Sequence, residues 1–351
     1  PDTEDLALIQ KIEEMEIPYW YPTDRLPEGY NTEQPKKSHG TTHVHHFYTK
    51  RNLWLLACLN EVLQKSFLQH IFKFGFLNTS WHGTLMRRFN ARGGDRPLSG
   101  TLYVPSIPTE GNLLSIYEHK IRQLKKFLHF IGEIQLISRK TTNSATNIDI
   151  VDNSVDYIFT DPPFGGNLMY SELNFLWEAW LKVLTNNQTE AIVNKTQGKG
   201  LPEYQRLMEA CFKEYYRVLK PGRWMTVEFS NSQSTIWNAI QEAIQRAGFV
   251  IANVSVLDKK QGSFKAVTTT TAVKQDLVIS AYKPKQEHID KMKREQNTEE
   301  SAWTFVKQHL EQLPVFIGEK GKAELIVERT PRVLFDRMVA YHVQNGLPVP
   351  L

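Results

Sequence analysis

Hydrophobic residues recur along this chain with two different periods, and the change between them divides the sequence. Between about residues 112 and 130, apolar side chains return every three or four positions, which predicts an amphipathic helix. From about residue 133 onward, short apolar runs typical of buried strands alternate with helical stretches. Such alternation is typical of an α/β fold with a doubly wound sheet. The sequence therefore predicts a mainly helical region followed by an α/β core.

The pattern in the second region is regular enough to place individual elements. Strands are predicted at residues 134–137, 155–160, 224–229, 249–256 and 276–282, and helices at about 172–184, 203–219 and 234–247. No helical pattern separates the last two strands. We expect them to form an antiparallel hairpin at the edge of the sheet, because a parallel pair needs a long crossover.

The N-terminal part reads differently. A short amphipathic helix at about 3–16 is followed by an arm rich in Pro, Gly and Tyr, which we expect to be too broken for regular structure. Thr49 predicts the N-cap of an apolar helix, and more helix is expected as far as about residue 89. A basic, glycine-rich turn then leads to a β-like stretch at 100–104.

The composition narrows the class of protein. The chain has 351 residues, of which 41% are hydrophobic and 23% charged, as in globular proteins. Its net charge of +4 permits a polyanionic partner but does not demand one. Its two cysteines, Cys58 and Cys211, exclude a disulfide framework and suit a reducing compartment. No apolar run approaches the roughly 18 residues that span a bilayer, and the acidic N-terminus predicts no signal peptide, so we expect a cytoplasmic protein.

The candidate chemistry is concentrated in residues 155–166, where an apolar strand is followed by Asp161-Pro162-Pro163-Phe164 and two glycines. We expect a buried strand to deliver Asp161 to the carboxyl end of the sheet, where open α/β sheets hold ligands. A carboxylate and a backbone carbonyl that accept both N–H groups of an exocyclic amine would aim its lone pair at a methyl donor. The prolines stiffen the loop, and Phe164 offers a face on which an extruded base would stack.

These four residues resemble motif IV of the S-adenosylmethionine-dependent DNA amino-methyltransferases, in which Asp/Asn-Pro-Pro-Tyr/Phe marks the N6-adenine enzymes. Residues 161–181 are similar to the large bacterial adenine-specific methylases that carry a DUF1156-type N-terminal part, and the similarity extends over about residues 45–283. The Leu-Lys-Pro-Gly segment at 219–222 and the terminal hairpin also resemble parts of the class I methyltransferase fold.

The resemblance implies a Rossmann-like class I methyltransferase sheet with added helical segments. It further implies S-adenosyl-L-methionine as the cofactor and adenine N6 in DNA as the methyl acceptor, in DNA modification or phage defence. Asp161 and the Pro162 carbonyl would hold the amine, Pro163 would stiffen the loop, and Phe164 would stack on the base. A cytoplasmic, nucleoid-associated enzyme is expected.

The expected cofactor site is incomplete in this sequence. The helix start at Phe47, Tyr48 and Thr49 resembles the family's motif X, whose free N–H groups suit the cofactor carboxylate, and Asp161 would also contact the cofactor. The family's glycine-rich strand-to-helix turn, of the Phe-x-Gly-x-Gly kind, does not occur in the sequence. We therefore expect that turn upstream of these residues or in a partner subunit.

Several basic residues are candidates for contact with DNA phosphates. They are Arg87, Arg88, Arg92, Lys195, Lys199, Lys259 and Lys260. The polar, basic loop at 186–201 is the best candidate for contact near an extruded base. Four histidines between residues 39 and 46 match no zinc pattern, so no metal is predicted.

The sequence thus predicts an extended arm at 1–47, a mainly helical segment at 48–132, a methyltransferase core at 133–284 and a helical extension at 285–351. Two other functions stay open. An RNA methyltransferase acting on guanine N2 would use a similar loop. A non-catalytic DNA-binding subunit of a methyltransferase complex would keep the fold while a partner supplies the cofactor site.

Overall fold

The structure is a computed structural model that describes residues 2–132, 141–231, 233–258, 275–296, 298–314 and 326–350. Its α-helices are α1 (Thr3–Glu14), α2 (Tyr30–His39), α3 (Lys50–Gln64), α4 (Gln69–His82), α5 (Leu113–Gly132), α6 (Tyr170–Leu173), α7 (Phe175–Leu181), α8 (Leu201–Val218), α9 (Ser234–Arg246), α10 (Gln286–Arg294), α11 (Glu299–Gln312) and α12 (Pro331–Gln344). Its strands are β1 (Val155–Thr160), β2 (Leu219–Phe229), β3 (Val250–Asp258) and β4 (Gln275–Tyr282). The strand predicted at 134–137 lies outside the described residues. Within them, no helix combines the length and hydropathy needed to cross a membrane.

The chain forms two compact units. The first unit comprises Pro1–Lys140 and Met169–Glu190, and the second comprises Thr141–Leu168 and Ala191–Leu351. Residues 169–190, which the sequence places in the methyltransferase core, therefore cluster with the N-terminal residues. The cause is packing by α7, because Trp180 lies buried and its Nε1 donates a hydrogen bond to the Tyr48 hydroxyl at 3.0 Å.

The arm before residue 47 is more regular than the sequence predicts. The glycines that suggest a broken chain instead bound helix α2, with Gly29 at its N-cap and Gly40 in the left-handed conformation at its end. The buried carboxylate of Glu172 accepts a hydrogen bond from the Asn31 N–H at 2.9 Å. A side chain 141 positions away thus caps α2, which no local pattern reveals.

Two further expectations for the first unit are wrong. Helix α4 ends at His82 rather than near residue 89, because Gly83 follows it and the chain turns. Residues 100–104 form no strand; Val104 donates its N–H to the side-chain oxygen of Gln34 instead of to a neighbouring strand. Helix α5, in contrast, confirms the helix predicted at 112–130.

The second unit is built on a four-stranded mixed sheet in the order β1-β2-β4-β3. Strands β1 and β2 are parallel, whereas β4 is antiparallel to both β2 and β3. The predicted terminal antiparallel hairpin is confirmed, and so is the α/β fold class. Helices α8 and α9 cover one face of this sheet around a core that includes Phe212, Met225 and Ile240, all fully buried.

Strand β2 begins earlier than predicted. The Leu-Lys-Pro-Gly segment reads as a turn in the sequence, but it is the irregular start of β2. Leu219 pairs with Val155, and regular pairing resumes where Trp224 meets Tyr157. Gly222 takes a φ of +76° in this irregular stretch, a conformation that glycine adopts without strain.

Strand β1 is not the fully buried strand that the sequence predicts. Within the described residues it pairs with β2 alone and therefore forms an edge of the sheet. Tyr157 and Phe159 alternate onto one face and are 54% and 60% exposed. Ile158 packs toward the core on the other face. Within the described residues, this apolar strand is therefore covered on one face only.

The C-terminal helices α10, α11 and α12 pack on the sheet of the second unit. Their buried side chains form a cluster with Val250, Ala252 and Tyr282. His309 of α11 is fully buried there, and its Nδ1 lies 3.0 Å from the Tyr282 hydroxyl. Burial, with a smaller contribution from the nearby charge of Arg337, lowers the pKa of His309 to about 4. This histidine is therefore neutral in the folded protein at neutral pH.

We predict that His309 makes the free energy of unfolding depend on pH. Below a pH of about 6.5, the unfolded chain binds a proton at residue 309 that the folded protein accepts only near pH 4. The free energy of unfolding should therefore fall by up to about 3 kcal/mol as the pH drops from 6.5 to 4. Urea unfolding of the wild type and of H309Q at several pH values checks this. The difference between them should shrink as the pH falls, whereas the exposed control H70Q should follow the wild type. A pH-independent difference would contradict the prediction.

Candidate functional site

Asp161 lies where the sequence predicts it, directly after the last residue of β1. The parallel register pairs Thr160 with Val227, so the carboxyl ends of β1 and β2 lie side by side. Asp161 is exposed, while Pro162 behind it is buried. An accessible carboxylate at the carboxyl ends of two parallel strands occupies the position at which open α/β sheets bind ligands.

The loop after Asp161 is held at three successive carbonyl groups. Tyr204 of α8 donates its hydroxyl proton to the Pro163 carbonyl at 2.6 Å. The Asn231 side-chain amide, just beyond the end of β2, donates to the Phe164 carbonyl at 2.8 Å. The N–H of Val193 donates to the Gly165 carbonyl at 3.3 Å. These bonds fix the backbone that follows Asp161 before any ligand arrives, which is the preorganisation that catalysis by alignment needs.

Gly165 allows the loop to turn at this point. Its φ is +71°, and a Cβ there would lie 3.2 Å from a side-chain carbon of Ile236. Both the conformation and the close packing therefore favour glycine.

Part of the Phe164 ring packs against the hydrophobic core of the second unit. Its ring meets Phe229 edge to face at a centroid distance of 5.2 Å, and Phe229 in turn contacts Trp237. The side chain is half-buried, so part of its surface is used in packing. Stacking on a base stays a prediction that concerns the remaining surface.

Tyr204 and Asn231 were missed by the sequence reasoning. Tyr204 lies in the apolar stripe of α8 and is fully buried, so nothing local distinguishes it from a core residue. Asn231 did carry a signal, because it is a polar residue just beyond a buried strand that runs parallel to β1. Burial raises the pKa of Tyr204, which keeps its hydroxyl protonated as a donor at neutral pH.

The predicted cofactor residues at 47–49 have structural partners within the first unit. Phe47 and Tyr48 are buried, and the Tyr48 hydroxyl accepts the Trp180 hydrogen bond. Thr49 caps α3 by accepting the Asn52 N–H at 3.2 Å, which confirms the predicted N-cap. A cofactor contact at this helix start stays a prediction.

The described residues do not fit the whole cofactor. None of their strands runs into a turn of the Phe-x-Gly-x-Gly kind that begins a helix, and such a turn is what the resemblance requires beside the methyl donor. A role of the loop after β1 in holding a methyl acceptor stays a prediction.

The basic candidates differ in accessibility. Arg88, Arg92 and Lys195 are exposed and Arg87 is half-buried. Lys199 is only 9% exposed, and its backbone pairs with Asn194 in both directions in a tight turn. A phosphate contact by Lys199 stays a prediction.

The last two basic candidates, Lys259 and Lys260, lie outside the described residues. In the part of the chain that is described, no group of three or more His, Cys, Asp or Glu side chains is arranged to bind a metal ion.

Comparison with known families bears on the second unit. Residues 155–317, less than half of the chain, match the family model for N6 and N4 methyltransferases described as DNA methylase. This segment is similar to DNA methylases. The match begins at the first residue of β1 and includes Asp161, Tyr204 and Asn231. No curated protein matches the chain.

Similarity to solved structures is weak. A SAM-dependent methyltransferase from Methanosarcina mazei shares 13% identity over 48% of this chain and 79% of its own, with a TM-score of 0.27. A proposed DNA modification methylase from Thermus thermophilus shares 15% identity over 55% and 68%, with a TM-score of 0.23. A geranyl diphosphate C-methyltransferase from Streptomyces coelicolor shares 9% identity over 80% and 99%, with a TM-score of 0.25. Similarity this low supports no inference about function.

We predict that Y204F loosens the loop without unfolding the protein. Loss of one hydrogen bond to the Pro163 carbonyl should cost about 0.5–1.5 kcal/mol of stability. Hydrogen exchange measured by mass spectrometry should become faster in a peptide covering residues 161–168. The exposed control Y103F should leave the exchange of this peptide unchanged. Equal exchange in wild type and Y204F would show that the Tyr204 bond does not fix the loop.

Proposed function

We propose that this chain carries the methyl-acceptor loop of a DNA methyltransferase that methylates adenine at N6. The observation that supports this most is the exposed Asp161 at the carboxyl end of β1, followed by a loop in which Tyr204 and Asn231 donate hydrogen bonds to the carbonyls of Pro163 and Phe164. This loop lies within the segment that matches the DNA methylase family model.

The residues of the loop suit an exocyclic amine. The lone pair of an adenine N6 is delocalised into the ring, which makes the nitrogen a poor nucleophile. Asp161 accepts one N–H and the Pro162 carbonyl accepts the other, which draws the nitrogen toward a tetrahedral geometry and directs its lone pair at the methyl group. The gain comes from orientation and from charge stabilisation at the nitrogen, and no covalent enzyme intermediate is needed. Phe164 stacks on the extruded base.

The preference for adenine rests on the first residue of the motif. The motif begins with Asp, as in the N6-adenine enzymes that it resembles, whereas cytosine N4 enzymes more often begin with Ser. Methylation of this kind would serve DNA modification or phage defence, at the nucleoid in the cytoplasm. Arg87, Arg88, Arg92 and Lys195 would contact the phosphates of the DNA.

S-adenosylmethionine is the methyl donor in this proposal and supplies an electrophilic methyl group on a sulfonium ion. The glycine-rich turn that holds it would come from a segment upstream or from a second subunit. Two features of β1 support this arrangement. Within the described residues its edge away from β2 is unpaired, and the face that carries Tyr157 and Phe159 is exposed, whereas parallel strands are normally covered on both faces. A strand added beside β1 would pair with this edge and place the turn next to Asp161.

We predict that D161A abolishes methyl transfer. Without the carboxylate the amine is neither oriented nor stabilised as charge develops, so the rate should fall by at least about 10³-fold. The test uses the complete protein with its cofactor-binding part, labelled S-adenosylmethionine and duplex DNA. The matched control is D156A, which removes an exposed carboxylate of β1 that pairs with Lys220 and Arg223. D156A should retain activity.

Three results would contradict the proposal. Transfer that survives D161A would refute the assigned role of the carboxylate. Transfer to tRNA but not to duplex DNA would instead favour a guanine-N2 RNA methyltransferase. Absence of transfer in the complete wild-type protein, with retained DNA binding, would indicate a non-catalytic subunit.

A further inference from the structure

A cavity of about 650 Å³ lies in the first unit. The loop after β1 belongs to the second unit and contributes no residue to the cavity. Its wall is formed by the end of α4 at His82, the segment at 87–96, and the first turns of α5 from Ser115 to Lys120. A volume of this size is typical of sites that bind small molecules. Gly93 and Gly94 belong to the wall, and a Cβ at either would meet nothing within 4 Å, so the backbone there is open to approach.

The cavity is strongly basic. Arg87, Arg88, Arg96 and Lys120 line it, against one carboxylate, Asp95. The Asp95 carboxylate accepts the N–H of Asn90 at 2.9 Å and so joins the two ends of the turn at residues 90–95. Four cationic side chains around one concave surface favour an anion with several negative oxygens.

Arg87 is held in place and has unused hydrogen-bonding capacity. Its N–H donates to the Thr84 carbonyl and its carbonyl accepts from the Thr109 N–H at 2.7 Å, which fixes the backbone. The Nε of its guanidinium is buried, and within the described residues it has no hydrogen-bond partner. A buried donor without an acceptor is costly, and an anionic oxygen would satisfy it.

The pKa of His82 reflects the positive charge around the cavity. Burial lowers its pKa most, and the charges of Lys120, Arg87 and Arg96 lower it further. A neutral imidazole with an N–H remains a hydrogen-bond donor to an anion. His119, on the adjacent turn of α5, also lines the cavity and is exposed.

We propose that this cavity binds the phosphate group of a nucleotide, supplied either as a free nucleotide or as part of a nucleic-acid backbone. Phosphate suits the site because it presents several charged oxygens to Arg87, Arg96 and Lys120 at once. None of the lining residues belongs to the loop after β1. Binding of a free nucleotide is therefore independent of the proposed function, whereas binding of a nucleic-acid backbone rests on it, because Arg87 and Arg88 are also proposed DNA contacts.

The test measures binding to the full chain by isothermal titration calorimetry. The probes are inorganic pyrophosphate, a nucleoside triphosphate, and a short DNA duplex. R87Q/K120Q should weaken binding of the active probe at least about 10-fold, because two charge-assisted hydrogen bonds are removed. The matched control K125Q/K126Q neutralises two exposed lysines of the same helix outside the cavity and should change the affinity less than about 2-fold.

The three probes distinguish the two sources of phosphate. Binding of the triphosphate that excess duplex does not displace identifies a free nucleotide as the ligand. Binding of duplex alone, weakened by R87Q/K120Q, identifies the nucleic-acid backbone. Equal binding of all probes by wild type and R87Q/K120Q, or no binding of any probe by the wild type, would overturn the proposal.

A second measurement avoids variants that fold poorly. The imidazole proton signals of wild-type His82 and His119 are followed by NMR as the bound probe is titrated. An anion in the cavity offsets the positive charges around His82, so the pKa of His82 should rise. An unchanged His82 pKa at saturation would place the anion elsewhere. D161A should bind pyrophosphate and the nucleoside triphosphate like the wild type, so failure of this site and failure of methyl transfer are separable.

Discussion

The geometry of the candidate site depends on how the backbone after β1 is fixed. Two donors from different elements, the Tyr204 hydroxyl and the Asn231 amide, bind the carbonyls of Pro163 and Phe164. Because Tyr204 belongs to α8 and Asn231 follows β2, the loop is tied to two different elements of the second unit. A methyl acceptor must be placed to within a fraction of an ångström. A rigid loop of this kind can hold the Asp161 carboxylate in one position relative to a ligand. The four-residue motif alone does not show that its loop is rigid.

In our proposal, the sheet explains why only one half of the site lies in these residues. Within the described residues, strand β1 pairs with β2 on one edge only, and the rings of Tyr157 and Phe159 are exposed on one of its faces. An unpaired strand edge and an exposed aromatic face are both liabilities unless other elements cover them. The missing glycine-rich turn and the uncovered strand are thus two signs of the same absent neighbour in our proposal. The C-terminal helices, in contrast, bury the opposite part of the sheet through Tyr282 and Phe305.

The sequence predicts those features that arise from local periodicity. The strands at 155–160 and 276–282, helix α5, and the position of Asp161 after a strand all follow from apolar patterns and chain order. Features that depend on distant partners escaped prediction. The cap of α2 comes from Glu172, and the bond to the Pro163 carbonyl comes from Tyr204. The apolar run of β1 predicted a fully buried strand, and this prediction was wrong. A run of hydrophobic residues does not distinguish a strand covered on both faces from one that is covered on a single face.

In our proposal, the Asp161 carboxylate orients the exocyclic amine of adenine. The most direct measurement is nucleoside mass spectrometry of DNA from cells that express the complete protein, beside cells that express its D161A form. We expect N6-methyladenine in the first DNA and none in the second, because alanine can neither accept the amine N–H nor supply charge at the nitrogen. N4-methylcytosine as the product, or N6-methyladenine that persists with D161A, would contradict the proposal.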